Sequence, residues 1–482
     1  MQSCLCLEGF AFGHTRQMET GMKRFGHAVV IGGGVAGLLA ARTLSEHFER
    51  VTLLERDELP ESPVFRKGVP QSHHLHILLI RGQQILDGLF PGFSEDLRQA
   101  GAVQIDIGRE FLFITPFGQM RNGALGLHVL AASRVLVEWY IRRRVREIPG
   151  VSLRGRAAVE QLVLDGAKRR VRGVLLRAAN RASAGETVAA DLVVDASGRN
   201  TNLPAWLGGY GYPAVRSTIV NSHLAYATRW YRAPQGIENG WKGIVVNVSP
   251  PDNPRGAAVM PVEGGRWVVT LGGMAGVVPP TDADGFLEFT RQLSSPVVYE
   301  TIRHWEPLSR VYGYRKAFNE WKHFEQMPRF PAGLAAIGDA VCAFNPIYGQ
   351  GMTIAAMSAV ELGNSLAGLN GTGIPDDFGL RFHKRLARLY KVPWQLATGE
   401  DFRWEQTEGE RPGLGVRIGH WYTDQVAKAA GESLTAAQAF IEVVHLLKPP
   451  SELMKPGVLV PALRQGLFSA LAFRGRPSAN GR

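Results

Sequence analysis

Two glycine-rich turns, far apart in the chain, constrain its fold more than any other feature. The first, Gly32-Gly33-Gly34-Val35-Ala36-Gly37, follows the apolar run His27–Ile31 and opens the helical pattern Leu38–Leu44. In a strand–turn–helix unit, Gly32 permits the tight turn, Gly34 lets a diphosphate approach the backbone, and Gly37 lets the helix pack on the strand. The turn predicts a Rossmann-like α/β unit with a dinucleotide at the helix N-terminus, and packing alone is the alternative.

A carboxylate stands where such a unit needs one. The predicted strand Val51–Leu54 ends at Glu55, about 20 residues after the turn, where a carboxylate accepts hydrogen bonds from an adenosine ribose. We also assign Arg56, next to it, to the cofactor site. For Glu55 the alternative is a solvated strand end.

The second turn, Gly338-Asp339, follows the apolar run Leu334–Ile337. The chain continues through Pro346 and Gly349-Gln350-Gly351-Met352 into a helix predicted from about Met352 to Leu366. One such turn would be a weak signal. The two together predict that the dinucleotide is FAD.

Composition narrows the class of protein. With 482 residues, 45% of them hydrophobic, the chain can bury a large core in two or three domains. The net charge of +11 suits an anionic cofactor, but Lys and Arg are scattered, so no nucleic acid is expected. No apolar run reaches the roughly 18–20 residues of a membrane span, and membrane contact is not expected. Three cysteines, too few for a disulfide framework, favour the cytoplasm.

The pattern of strands and helices predicts a discontinuous cofactor domain. Alternating and short β runs between Asn221 and Gly273 indicate an antiparallel sheet inserted between its pieces, and the chain after Gly373 reads as helical. We expect a disordered leader over 1–25, with Met18 or Met22 as the biological start. The FAD-binding domain is expected over 26–105, 133–215 and 330–372, the substrate domain over 106–132 and 216–329, and a helical region over 373–482.

Three histidines, His73, His74 and His76, raise the question of a metal. No carboxylate or cysteine lies at ligand spacing from them, so no metal is expected. A loop that lines the cofactor is the favoured interpretation.

From Gly26 to Leu366 the chain resembles the flavin monooxygenases of the para-hydroxybenzoate hydroxylase fold. The resemblance implies that Asp339, after Gly338, holds ribityl or ribose hydroxyls of FAD, and that Pro346 and the turn Gly349–Met352 border the isoalloxazine ring. It also matches Arg134, at the start of a helix, to an arginine on the diphosphate side, although a surface arginine is the alternative. Within that family the chain is similar to the flavin epoxidases of polyether biosynthesis, in strings that begin at Arg66, Tyr226, Met260 and Gly338. We include Arg66 among the cofactor-binding residues.

What the resemblance implies is an FAD-dependent monooxygenase. It would pass one oxygen atom of O₂, through a C4a-hydroperoxyflavin, to a small apolar organic substrate, by epoxidation of an alkene or by hydroxylation. We expect the pocket between the inserted sheet and the flavin, lined by Tyr226, Val246, Val259 and Tyr348, and assign no side chain as catalytic acid or base.

The departures from the family leave the electron source open. Ser197-Gly198 stands where typical hydroxylases carry Asp-Gly, so either NAD(P)H visits transiently or a separate flavin reductase supplies electrons. Lys67 raises a halogenase as an alternative, but the W-x-W-x-I-P signature of halogenases is absent. The same fold would also suit a flavin reductase or dehydrogenase resembling geranylgeranyl reductases, or a flavin-binding scaffold without activity.

Overall fold

The computed structural model describes residues 24–178, 185–234, 240–369, 371 and 373–474. Apart from its last two residues, the predicted leader over 1–25 lies outside these ranges. Phe25 already belongs to the first strand.

A five-stranded parallel sheet forms the centre of the described chain, and its strands come from widely separated stretches. Parallel strands that are buried on both faces read as continuous apolar runs, and Ala28, Val29 and Val30 are fully buried. In spatial order the strands are β18 (Leu334–Ala336), β11 (Leu192–Asp195), β1 (Phe25–Ile31), β2 (Phe48–Leu54) and β7 (Val151–Arg154).

Helices from both ends of the cofactor region pack together on this sheet. Helix α1 (Val35–Leu44) contacts both α4 (Arg134–Arg146) and α8 (Gly351–Ala367). The helix predicted after the second glycine turn is therefore confirmed. The other helices before it are α2 (Ile80–Leu89), α3 (Phe93–Gln99), α5 (Leu203–Gly209), α6 (Ala283–Arg291) and α7 (Val297–Ile302).

A second, larger sheet is built mainly from the inserted region. Its neighbouring strands are antiparallel except β13 and β4, which are parallel. It runs in the order β19 (Cys342–Ala343), β17 (Tyr312–Lys322), β12 (Ser217–Arg232), β15 (Arg266–Gly273), β14 (Arg255–Val262), β13 (Gly243–Val246), β4 (Phe111–Thr115) and β5 (Gly118–Gln119), with β16 (Glu306–Pro307) also on β12.

Two small sheets complete the β structure of the described residues. One contains β8 (Val159–Leu164), β9 (Val171–Leu176) and β10 (Thr187–Ala189), and the other pairs β3 (Val103–Asp106) with β6 (His128–Ala131). The α/β class, the discontinuous Rossmann-like unit and the inserted antiparallel sheet are confirmed. The domain boundaries stay a prediction.

The C-terminal region is helical, as predicted. It contains α9 (Phe378–Asp401), α10 (Leu414–Ala430), α11 (Leu434–Val444) and α12 (Pro456–Arg474). Helix α11 ends at Val444, and Leu446 shortly after it adopts a left-handed conformation with φ of 57°. Within the described residues, no helix has both the length and the apolar character that crossing a membrane requires.

Candidate cofactor site

The first glycine turn leaves the N-terminus of α1 open. Gly32 has φ of 104°, and a Cβ on Gly37 would lie 1.8 Å from the carbonyl oxygen of Gly32, so glycine is needed at both positions. Among the described residues, no side chain caps α1 at Gly34. A Cβ on Gly34 would meet no atom within 4 Å. Free backbone N–H groups beside open space are what a phosphate requires.

Glu55 reaches this turn from the end of β2. It is 7% exposed, and its Oε2 accepts the backbone N–H of Gly33 at 2.6 Å. Its Oε1 accepts the N–H of Asp57 at 3.0 Å. The carboxylate is thus held beside the turn, where we predicted a ribose contact. Arg56, the next residue, is exposed.

Three arginines lie around a buried carboxylate of α4, beside the first glycine turn. Glu138 Oε1 accepts from Nε and Nη2 of Arg66 at 2.8 and 2.7 Å, and its Oε2 accepts from Arg134 Nη2 at 2.7 Å. Arg142 Nη1 lies 3.6 Å away. Burial would raise the pKa of Glu138, but Arg134 and Arg66 outweigh it and lower the pKa. The group is therefore an ionised carboxylate.

Two of these arginines, Arg66 and Arg134, are the ones predicted to bind the cofactor. Arg66 Nη2 also donates to the carbonyl oxygen of Gly33 at 3.0 Å. In the described residues, the buried Nε of Arg134 has no hydrogen-bond partner. Arg134 is 8% exposed, so it is not the surface arginine of the alternative interpretation.

The second glycine turn meets the first. Gly338 has φ of 61°, and a Cβ there would lie 2.8 Å from the Cβ of Ala36 at the start of α1. Asp339 follows it, and within the described part of the chain no hydrogen bond to its carboxylate is found. Burial raises the pKa of Asp339, while Arg199, Arg134 and Lys322 oppose the rise. A carboxylate held between two turns with free acceptors fits the hydroxyls of a ribityl chain or a ribose.

The N-terminus of α8 is also open. Gly349 is left-handed, with φ of 66°. Gln350 is the N-cap residue, and no side chain of the described residues caps the helix. A Cβ on Gly351 would meet no atom within 4 Å, and Met352 behind it is buried. Pro346, at the other end of the turn, is exposed.

These features fit FAD. Two uncapped helix N-termini, an unpaired carboxylate and a partly unpaired arginine converge where the two turns approach each other. The residues that would hold FAD are those of the two turns together with Glu55, Arg66, Arg134 and Asp339.

An aromatic wall on the large sheet faces the turn Asn345–Gly349. The ring of Tyr226 stacks on Tyr314 at 5.3 Å and meets the edge of His74 at 4.6 Å. Gly272 pairs with Tyr226 across the strands, and a Cβ on Gly272 would lie 3.8 Å from Cδ1 of Ile347, between Pro346 and Tyr348. The structure therefore brings Tyr226 to the side of the sheet on which the turn Asn345–Gly349 lies.

Val246 and Val259 do not share that wall, which corrects the predicted pocket. Val246 pairs with Ala257 and Ala257 with Leu271. Leu271 in turn pairs with Ala227, the neighbour of Tyr226 along β12. Successive residues of a strand point to opposite faces, so both valines point away from Tyr226. They pack with Phe286 and Phe289 of α6.

The histidine loop lies between the aromatic wall and the arginines. His74 Nδ1 is 2.9 Å from Thr228 Oγ1 on β12. Burial, with His76 and His73, lowers the pKa of His74 to about 3, and burial, with Arg134, lowers the pKa of His76 to about 4. Both rings are neutral at pH 7. Among the described residues, no three His, Cys, Asp or Glu side chains are grouped for a metal.

The loop after β11 contains Ser197-Gly198, which stands where typical hydroxylases carry Asp-Gly. The buried carboxylate of Asp195 accepts the backbone N–H of Ser197 at 2.9 Å and also the hydroxyl of Thr201. Asp195 therefore shapes its own loop.

Sequence reasoning missed several residues of the site. Glu138 follows Arg134 by one helical turn, and that spacing was the available signal. Tyr348, predicted to line the pocket, donates its phenol proton to Asp401 at 2.7 Å. Asp401 lies in the C-terminal region, and no local pattern links it to the turn.

Comparisons with known proteins agree with this geometry. No family model matches the chain. It is 32% identical over 428 residues to Protein Rv3254 of Mycobacterium tuberculosis, covering 87% of this chain and 90% of that protein. Among solved structures, the flavin-dependent brominase Bmp2 aligns over 93% of this chain and all of its own, with a TM-score of 0.64 and 16% identity. The p-nitrophenol 4-monooxygenase PnpA of Pseudomonas putida aligns over 89% and 100%, with a TM-score of 0.60 and 19% identity.

Proposed function

The chain belongs to the family of Protein Rv3254 and has the para-hydroxybenzoate hydroxylase type of flavoenzyme fold, and on that premise we propose that it is an FAD-dependent monooxygenase. One oxygen atom of O₂ would pass to a small apolar organic substrate, by epoxidation or hydroxylation, and the other would leave as water, with two electrons supplied by NAD(P)H or by a separate flavin reductase. When bound and reduced, FAD supplies the chemistry that activates O₂.

The observation that carries the proposal is the meeting of the two glycine turns. A Cβ on Gly338 would come within 2.8 Å of Ala36, so the N-terminus of α1 and the carboxylate of Asp339 lie side by side. One ligand with a diphosphate and a polyol chain satisfies both. The second uncapped helix, α8, then offers N–H groups and its positive dipole end to negative charge on the flavin ring.

The chain's own residues perform binding, orientation and exclusion of water. Arg66 and Arg134 carry the positive charge nearest the predicted diphosphate, and Asp339 accepts hydroxyl protons. Tyr226, Tyr314 and His74 form a wall that favours an apolar substrate beside the second turn. Oxygen transfer to an apolar substrate needs no obligatory side-chain base, and the lowered pKa values of His74 and His76 make both rings weak bases.

Flavin binding is tested with one pair of variants. Purified protein should carry FAD, and Asp339→Ala should weaken FAD binding by roughly 1.5–3 kcal/mol through loss of charge-assisted hydrogen bonds. The matched control is Asp377→Ala, which removes an exposed carboxylate that pairs with Arg381 at 2.9 Å. Equal FAD affinity in both variants would remove Asp339 from the site.

Oxygenation is tested separately. Anaerobically reduced holoprotein is mixed with ¹⁸O₂ and an extract of apolar metabolites, with and without bromide, and products are read by mass spectrometry. Incorporation of one ¹⁸O atom supports a monooxygenase. Bromide incorporation would assign a halogenase, although Lys67, the candidate lysine, is exposed. Reoxidation without any product would favour the reductase or the scaffold.

A further inference from the structure

A fully buried carboxylate lies against the turn that borders the predicted flavin. Asp401 is the last residue of α9 and is 0% exposed. Its Oδ1 accepts the phenol proton of Tyr348 at 2.7 Å and an amide proton of Asn345 at 3.1 Å. Its Oδ2 accepts from Asn319 Nδ2 at 2.6 Å. A carboxylate from the C-terminal region is therefore bonded to both ends of the turn Asn345–Gly349.

The same amides fix the shape of the turn. The backbone N–H of Asn345 donates to Asn319 Oδ1 at 2.7 Å, and Asn345 Oδ1 accepts the N–H of Ile347 at 3.2 Å. Asn345 Nδ2 also lies 3.2 Å from Ser222 Oγ. Removing the acceptor at Asp401 would leave buried donors on Asn319 and Asn345 without their partner, which is costly.

The charges around Asp401 do little to stabilise its ionised form. Its direct partners on β12, β17 and the turn are neutral, and Tyr348 is the one titratable group among them. The adjacent charges are Glu400 and Arg403, and Arg403 is engaged by Glu400 at 2.8 Å and by Asp424 at 2.9 Å. His420, on α10, has a pKa lowered by burial and by Arg403. Burial raises the pKa of Asp401 to about 6, against the hydrogen bonds from Tyr348 and the amides.

We propose that Asp401 is a positioning residue for the cofactor: through Tyr348, Asn345 and Asn319 it holds the turn Asn345–Gly349 in the shape that receives FAD, and uptake of a proton by Asp401 loosens that hold. The inference rests on the proposed function, because it assumes that FAD binds at this turn.

The protonation state of Asp401 sets the direction in which FAD affinity changes with pH. Ionised Asp401 accepts hydrogen bonds from Tyr348, Asn345, Asn319 and Ser222 and offers none. Protonated Asp401 becomes a donor itself, so one of these four donors loses its acceptor. The turn is therefore best held above pH 6, and FAD affinity falls as the protein is acidified. Loss of one such hydrogen bond corresponds to about tenfold in Kd.

The test measures the Kd of FAD for the apoprotein between pH 5 and pH 8, with quenching of flavin fluorescence as the readout of binding. Wild-type Kd should begin to rise as the pH falls through about 6 and should be several-fold higher at pH 5, on the way to a limit of about tenfold. Asp401→Asn should bind weakly at pH 8 and show no step. Tyr348→Phe removes one donor to the ionised form, so its step should move to higher pH. Asp377→Ala, which removes an exposed carboxylate at the opposite end of α9, should keep the wild-type step.

Each outcome decides the question. A step of wild-type size and midpoint in Asp401→Asn would overturn the proposal while leaving FAD binding intact. Absence of FAD binding to the wild type at every pH would overturn it together with the proposed function. If Asp401→Asn does not fold, as judged by circular dichroism, Tyr348→Phe decides: an unmoved step refutes the role of Asp401, and a step moved to higher pH supports it.

Discussion

Neutralising Glu138 should destabilise the protein far more than neutralising any surface carboxylate. In Glu138→Gln, Arg134 and Arg142 lose the carboxylate with which each forms its ion pair, at 2.7 and 3.6 Å, and both are nearly fully buried. Arg66 keeps Glu55 at 3.4 Å and Asp57 at 3.6 Å. Uncompensated buried charge costs roughly 3–5 kcal/mol, so we expect a loss of that size in the free energy of unfolding of the apoprotein.

The sign of the pH dependence follows from the lowered pKa of Glu138. A carboxylate whose folded pKa is depressed contributes stability above its ordinary pKa of about 4.3 and loses that contribution as the pH falls through the folded value. The difference between wild type and Glu138→Gln should thus be complete at pH 7 and shrink in acid. Saturating FAD should also reduce it, because a diphosphate supplies negative charge to the freed arginines.

Urea denaturation of apoprotein and FAD-saturated protein, at pH 7 and pH 3, measures all three effects. The control is Glu147→Gln at the C-cap of the same helix, where Glu147 pairs with Arg143 at 3.5 Å and both side chains are more than half exposed. It should cost less than about 1 kcal/mol. Equal losses in the two variants would refute the reasoning.

Three further predictions concern the turns, the pocket and the electron supply. Gly37→Ala should not fold, because its Cβ would lie 1.8 Å from the Gly32 carbonyl oxygen. Gly34→Val should fold but purify without FAD, since its side chain enters the open space beside the turn. Circular dichroism and flavin absorbance separate the two outcomes. Val246→Ala should lower the free energy of unfolding by about 2 kcal/mol and leave oxygenation unaffected. Tyr226→Ala should impair oxygenation and retain FAD. The opposite result would place the pocket on the other face of the sheet. NADPH alone should reduce the flavin slowly and an added flavin reductase should accelerate it, and rapid saturable bleaching by NADPH in anaerobic stopped flow would contradict this.

Local patterns predicted the fold and the two turns well. Strand β1 and helix α1 follow from an apolar run and a glycine spacing that are contiguous in the sequence. The valines were misplaced because alternation shows that a strand has two faces but not which face the cofactor occupies. Val246 and Tyr226 could be compared only through the register of β12 to β15, and that register is a tertiary property.

Residues that act through long-range contacts were beyond the sequence. Asp401 is one of many carboxylates in the helical C-terminal region. Its neighbour Asn319 comes from strand β17, and its neighbour Asn345 comes from the turn Asn345–Gly349. Only the packing of α9 brings them together. Glu138 was closer to recognition, because its spacing from Arg134 is local, but its contact with Arg66 again depends on tertiary structure.

The distance in sequence between the two glycine turns sets an order of events during synthesis. Gly32 and Gly338 are roughly three hundred residues apart, and at 5–20 residues per second the second turn follows the first by about 15–60 seconds. During that interval the N-terminus of α1 is exposed on the ribosome without Asp339 beside it. The cofactor site is therefore completed late in translation, and FAD can then connect the first and last strands of the parallel sheet.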